Sequence, residues 1–173
     1  LVSSNLERLL YDVTGRDAEK VSQYMRCLNT DGFYKINAEE LKIIQRQFFG
    51  AWIDEVETKE AINRVYNDNG YLMDTHTAVA WRALDKYRFL TSDETYTVVL
   101  STANPYKFAN SVLSALEDKP VSAEDPFVLL DRLHEMTGVE IPAPMAALKD
   151  QPVLHKEVIP ADKMEMAVLT NLI

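Results

Sequence analysis

The sequence predicts an α/β chain, helix-rich, that contributes a few strands to a larger, mostly parallel sheet flanked by helices. Three observations predict it. The first half breaks into capped segments whose apolar residues follow helical spacing. Tyr96, Val98, Val99 and Leu100 form a nearly continuous β-prone apolar run, the pattern of a strand buried on both faces. Such a strand needs neighbours on both edges, and this chain supplies few others. The remaining strands are therefore expected in sequence outside these residues, and 1–173 is read as a single portion of a larger α/β protein.

The elements follow in order. Ser4 or Asn5 is expected to cap a helix carrying Leu6, Leu9, Leu10 and Val13 and ending at Gly15. A second runs from Asp17 to about Asn29, with Val21, Tyr24, Met25 and Leu28 on one face. "NTDGFYKIN" reads as turn, short strand, turn. Asn37 caps the next helix with Glu40 three residues on, the spacing of a capping box. "GAWIDEVE" reads as a short strand and "VETKEAINRVYND" as a helix ending at Gly70. An alanine-rich helix follows "GYLMDTHT", and beyond the Tyr96–Leu100 run come helices in "PYKFANSVLSAL" and "DPFVLLDRLHEMTG", the latter closed by Gly138. A Pro-rich connector leads to a strand in "VLHKEVI" and a last helix near Pro160.

Composition narrows the function. With 173 residues, 47% hydrophobic and 26% charged, the chain is long enough to bury roughly 70% of its unfolded surface. Net charge is −9 with scattered Lys and Arg, which lacks the basic footprint of a nucleic-acid binder. No apolar run approaches the ~20 residues that cross a membrane. The single cysteine, Cys27, cannot form an internal disulfide, which points to a reducing, cytoplasmic setting; it reads as a small core residue. His134 and His155 have no partners at metal-ligand spacing, so no metal site is expected.

Three places carry candidate chemistry. Asp74, Thr75, His76 and Thr77 stand together at the mouth of the alanine-rich helix, where about four backbone N–H groups lack partners. Capping is the ordinary use of such residues, and the same geometry also holds anions. Ser101 and Thr102 end the Tyr96–Leu100 run, and in open α/β sheets ligands bind beyond the carboxyl ends of strands; a hydroxyl-stabilised turn before Pro105 is the plainer reading. Ser4, Asn5 and Arg8 read as a cap followed by an exposed arginine one turn on. Lys107 reads as a solvated surface lysine.

Taken in order and spacing, "SSNLERLLYDVTGRD", "GYLMDTHTAVAW" and "TVVLSTANPYKF" resemble the C-terminal portion of threonine synthases of the longer type, and "KDQPVLHKEV" with the final helix resembles that family's tail. The resemblance implies a fold-type II enzyme dependent on pyridoxal 5'-phosphate, a carbon–oxygen lyase acting on phosphates. It converts O-phospho-L-homoserine and water to L-threonine and phosphate, the cofactor serving as electron sink.

The resemblance implies that Asp74, His76 and Thr77 line the active site. It puts Ser4 and Asn5 near the cofactor ring or substrate, with Arg8 in reach of the substrate's phosphate. Thr102 takes the position whose hydroxyl faces the cofactor's pyridine nitrogen, with Ser101 as the neighbour that a one-residue shift would exchange for it. The Schiff-base lysine and Gly-rich phosphate loop of such enzymes belong to the N-terminal portion, so no catalytic residue is expected here. The chain alone is expected to be inactive, to depend on that portion as its partner, and to self-associate. The competing readings are a non-catalytic homologue or interaction module of the same fold, and another fold-type II enzyme of the β-replacing or deaminating kind.

Overall fold

The computed structural model describes residues 3–121, 125–154 and 156–171; His155 lies outside them. Among the described residues the chain forms α1 (Ser4–Val13), α2 (Ala18–Asp31), α3 (Ala38–Gln45), α4 (Glu55–Asn69), α5 (Thr75–Thr91), α6 (Ala109–Glu117), α7 (Pro126–Thr137), α8 (Ala143–Ala146) and α9 (Met164–Asn171). Short 3-10 turns at Pro105–Phe108, Ala147–Asp150 and Ala161–Lys163 precede α6, follow α8 and precede α9.

Local chemistry sets most of these boundaries. Asp17 caps α2 through Lys20 N at 3.0 Å. Asn37 with Glu40, and Asp54 with Glu57, close capping boxes on α3 and α4. Asp125 caps α7 immediately before Pro126, whose missing N–H costs nothing in a first turn. Gly70 and Gly138 end α4 and α7 at φ +68°, a backbone state that other residues enter at a cost. The cap of α1 is Ser3, whose hydroxyl accepts from Leu6 N, and not Ser4 or Asn5 as the spacing suggested; both of those lie inside the helix.

No β-strand forms among the described residues. The run expected to be a doubly buried strand is open to solvent here, with Tyr96 104%, Val98 84% and Leu100 71% exposed. "NTDGFYKIN", "GAWIDEVE" and "VLHKEVI" likewise carry no strand among their described residues, and Glu55 already begins α4. The physical reason is that extended backbone becomes a strand only when a second strand pairs its N–H and C=O groups. A sheet was the expectation; what the described residues form is helical.

The chain divides into two compact units, Leu1–Ile53 with Arg82–Thr97, and Asp54–Trp81 with Val98–Ile173. In the first, α1 packs on α2 and α3 around Leu10 and Val21. The buried Glu40 ties α2 to α3. Its Oε2 accepts from Asn37 N at 3.0 Å and from the Tyr24 hydroxyl at 2.8 Å, and its carboxylate pairs with the Lys20 ammonium. Burial pushes the Glu40 pKa up, but the bonds from Lys20, Asn37 and Tyr24 together hold it below the ordinary value. In the same unit Lys86 donates to Trp52 O at 2.9 Å and stands 5.2 Å from the centre of that indole. Cys27 is half-buried on a 230 Å³ cavity with Tyr24 and Tyr34, not the core residue the sequence suggested.

The second unit holds the larger apolar core. Ile62 of α4, Ala78 of α5, Val112 and Leu113 of α6, and Leu133 of α7 are each fully buried, and Tyr106 nearly so. Asn63 Nδ2 donates to Ala115 O at 3.0 Å between α4 and α6, and Arg132 of α7 grips both oxygens of Glu117 at 2.5 and 2.6 Å. Val139 O accepts from the Tyr106 hydroxyl and from His134 at 2.7 Å, so His134 carries its proton on Nδ1 in that bond. These bonds anchor the turn at Asn104–Tyr106, and with it the segment that begins at Ser101.

Candidate functional site

Asp74 is fully buried although it stands at a helix start. Its Oδ1 accepts from His76 N at 2.8 Å and Thr77 N at 3.3 Å, the capping role that the residue type suggested. Its Oδ2 accepts from the Thr77 hydroxyl. A buried carboxylate oxygen without a donor would be costly, and here both oxygens are served.

His76 projects outward. Its Nδ1 lies 3.4 Å from Asp74 Oδ1 and its ring meets Phe108 at 4.9 Å between centroids, tilted by 51°. The side chain remains 62% exposed, so this imidazole is held on one edge and open on the other. Of the alanines of α5, Ala78 is fully buried, Ala83 is half-buried and Ala80 is exposed.

Ser101, itself exposed, meets this cluster from the end of the apolar run. Thr77 Oγ1 and Ser101 Oγ are 3.3 Å apart, and the Tyr71 hydroxyl donates to Ser101 Oγ at 3.2 Å. Thr102, the next residue, is exposed and has no hydrogen-bond partner among the described residues. Lys107 is exposed, and with Phe108 it lines a cavity of about 510 Å³ walled by Tyr106, Phe127, Leu130 and Met145.

The structure thus brings Asp74, His76, Thr77 and Ser101 together in the second unit, with Thr102 adjoining. Ser4, Asn5 and Arg8 belong to the first unit, all exposed on α1, where Arg8 donates through Nη2 to Asn5 Oδ1 one turn back. Two members of the cluster were not read from the sequence. Tyr71 joins through a bond that spans thirty residues of chain, and Phe108 through a ring contact; neither has a local signal. Among the described residues no group of three or more His, Cys, Asp or Glu side chains is placed to hold a metal ion.

The family pattern described as "Threonine synthase, C-terminal" matches residues 77–164, half of the chain. The chain belongs to the threonine synthase family. Threonine synthase of Saccharomyces cerevisiae is 32% identical over 154 residues, 81% of this chain and 30% of that protein. Threonine synthase of Pseudomonas aeruginosa is 33% identical over 66% of this chain and 24% of its own length, and human "Threonine synthase-like 1" is 34% identical over 70% of this chain and 16% of its own. The chain therefore spans less than a third of each of these curated relatives. Among solved structures, a PLP-bound threonine synthase from Brucella melitensis matches with a TM-score of 0.56 and 30% identity, over 77% of this chain and 27% of that one. Yeast threonine synthase matches over 99% of this chain and 35% of its own, with a TM-score of 0.70 at 24% identity, a likeness of fold. The helix-rich architecture is thus that of this family's C-terminal region. Among the described residues no helix is long and apolar enough to cross a membrane.

Proposed function

We propose that this chain is the C-terminal part of a pyridoxal-phosphate-dependent threonine synthase, acting with an N-terminal portion of the same enzyme. The substrate is O-phospho-L-homoserine and the products are L-threonine and phosphate. The observation that carries the reading is the meeting of Thr77 with Ser101 at 3.3 Å. It joins the start of α5 to the 101–104 turn, the two segments of this unit that the family resemblance associates with the cofactor. The PLP-bound Brucella relative supports the choice of cofactor.

The residues fit such a group by the chemistry of their donors. Pyridoxal phosphate, when bound, supplies an electron sink for negative charge at the substrate's carbons. Thr102 has an uncommitted hydroxyl, able to donate to a ring nitrogen or accept from a protonated one. Ser101 is the weaker candidate, because its hydroxyl is already engaged by Tyr71 and Thr77. Asp74 holds the backbone N–H groups of His76 and Thr77, which fixes the start of α5 and leaves the outer edge of His76 for substrate. In the first unit Arg8 is the proposed ligand for the substrate's phosphate. A guanidinium carries five N–H donors, so the bond to Asn5 leaves others for a bidentate grip. Ser4 and Asn5 stand beside it on α1 as further substrate contacts.

The test uses the full-length protein. Added pyridoxal phosphate is expected to give a bound-cofactor absorption band, and O-phospho-L-homoserine is expected to yield threonine and phosphate in equal amounts. A band without that turnover, but with release of ammonia from serine or threonine, would favour a deaminating relative. The likeness to "Threonine synthase-like 1" proteins favours a second reading, a homologue that kept the fold and not the reaction. Absence of both band and turnover would select it.

A further inference from the structure

Tyr71, Ser101, Thr77 and Asp74 form one continuous line of hydrogen bonds. One proton in that line is fixed by its partner. Thr77 has a single hydroxyl proton and two oxygen neighbours, Asp74 Oδ2 and Ser101 Oγ. The buried carboxylate can only accept, so the Thr77 proton goes to it. Ser101 Oγ lies 3.3 Å from Thr77 Oγ1, free to donate toward it, and accepts from the Tyr71 hydroxyl at 3.2 Å.

We propose that Tyr71 is a positioning residue which, with Thr77 and Asp74, clamps the Ser101 hydroxyl from two sides and thereby orients the neighbouring Thr102 toward a ligand, a role that rests on the cofactor reading of this site. The backbone of Tyr71 is well placed to do so. Gly70 ends α4 on one side of it, and Leu72 and Met73 are buried on the other, 7% and 2% exposed. The ring is half open to solvent, so its apolar face contributes little to the core. What it adds is the bond to Ser101. On the other side, Tyr106 and its bond to Val139 O anchor the turn that follows Thr102. Between two fixed ends, the clamp on Ser101 decides which way Thr102 faces.

The experiment has two arms, both on the full-length protein. In the first, threonine methyl resonances are recorded without cofactor, the Thr102 signal being assigned by its disappearance in Thr102→Ser. Tyr71→Phe keeps the ring and removes only the hydroxyl, so ring-current effects stay constant. Tyr71→Phe and Thr77→Val are expected to move and broaden the Thr102 methyl signal, while Thr77→Ser, which keeps the relay, leaves it in place. An unmoved Thr102 signal in Tyr71→Phe would overturn the proposal. In the second arm pyridoxal phosphate is added. Tyr71→Phe is expected to shift the cofactor absorption band or its pH midpoint and to lower kcat about tenfold, with KM and melting temperature nearly unchanged. A lower melting temperature with parental spectrum and kcat would also overturn it, since that is the mark of a merely structural bond. Failure of the unaltered protein to take up cofactor counts against the proposed function alone, because the methyl signal decides the clamp without it.

Discussion

Replacing Thr77 by valine exchanges one hydroxyl for one methyl and keeps the β-branched shape, so the cost of the change isolates a hydrogen bond. Thr77 is 3% exposed and Asp74 fully buried, so solvent cannot substitute for what is lost. The two capping bonds to Asp74 Oδ1 come from backbone N–H groups and survive. Oδ2 loses its donor, and an unsatisfied buried acceptor costs about 1–3 kcal/mol. Burying a methyl where the hydroxyl stood returns up to ~0.8 kcal/mol. The net destabilisation is therefore about 0.2–2 kcal/mol, while Thr77→Ser keeps the bond and loses only a methyl worth up to ~0.8 kcal/mol. Chemical denaturation of parent, Val and Ser variants, followed by circular dichroism, measures all three. If Thr77→Val proved as stable as the parent, the bond to Asp74 would contribute nothing. If Thr77→Ser proved as damaging as Thr77→Val, the methyl and not the hydroxyl would be what the site needs.

The other expectations are of different kinds. Leu113 is fully buried among α4, α6 and α7, so Leu113→Ala should cost about 2–5 kcal/mol in the same denaturation assay. Asp93 is held to a pKa of about 2, first by the hydroxyl of Thr95, then by Tyr87 and the Thr95 N–H. Because the folded value lies below the ordinary 3.8, its stabilisation is complete above about pH 4 and is lost as pH falls through about 2. Asp93→Asn should flatten the acid limb of a stability-against-pH curve, and an unchanged limb would refute the assignment. Steady-state kinetics of the full-length enzyme should find Thr102→Ala impaired and Ser101→Ala less so, while the reverse order would make Ser101 the cofactor contact. The isolated chain, with Trp52 77%, Phe89 88%, Tyr96 104% and Val98 84% exposed, should associate as its concentration rises in sedimentation, and a single monomeric species throughout would count against that.

What was legible in the sequence was what is decided locally. A capping box needs only Asn37 and Glu40 three residues apart, and a left-handed helix end needs only a glycine where the apolar spacing stops, as at Gly70 and Gly138. The strands were a different case. Tyr96–Leu100 has the composition of a buried strand, but pairing is a property of two segments, and the described residues hold no second one. The site divides along the same line. Asp74, Thr77 and Ser101 were each readable as polar residues at an element's end, while their meeting, and the part of Tyr71, depend on how the fold brings the 101–104 turn against the start of α5. Capping and ligand binding looked like competing explanations of Asp74. The two oxygens of that carboxylate act separately, since Oδ1 closes the helix start and Oδ2 accepts from the Thr77 hydroxyl, which in turn meets Ser101. A cap that is buried and has an oxygen to spare is therefore also a fixed electrostatic reference for the side chains around it. A residue chosen for the most ordinary of local reasons thus also fixes one end of the hydrogen-bonded line that reaches Ser101.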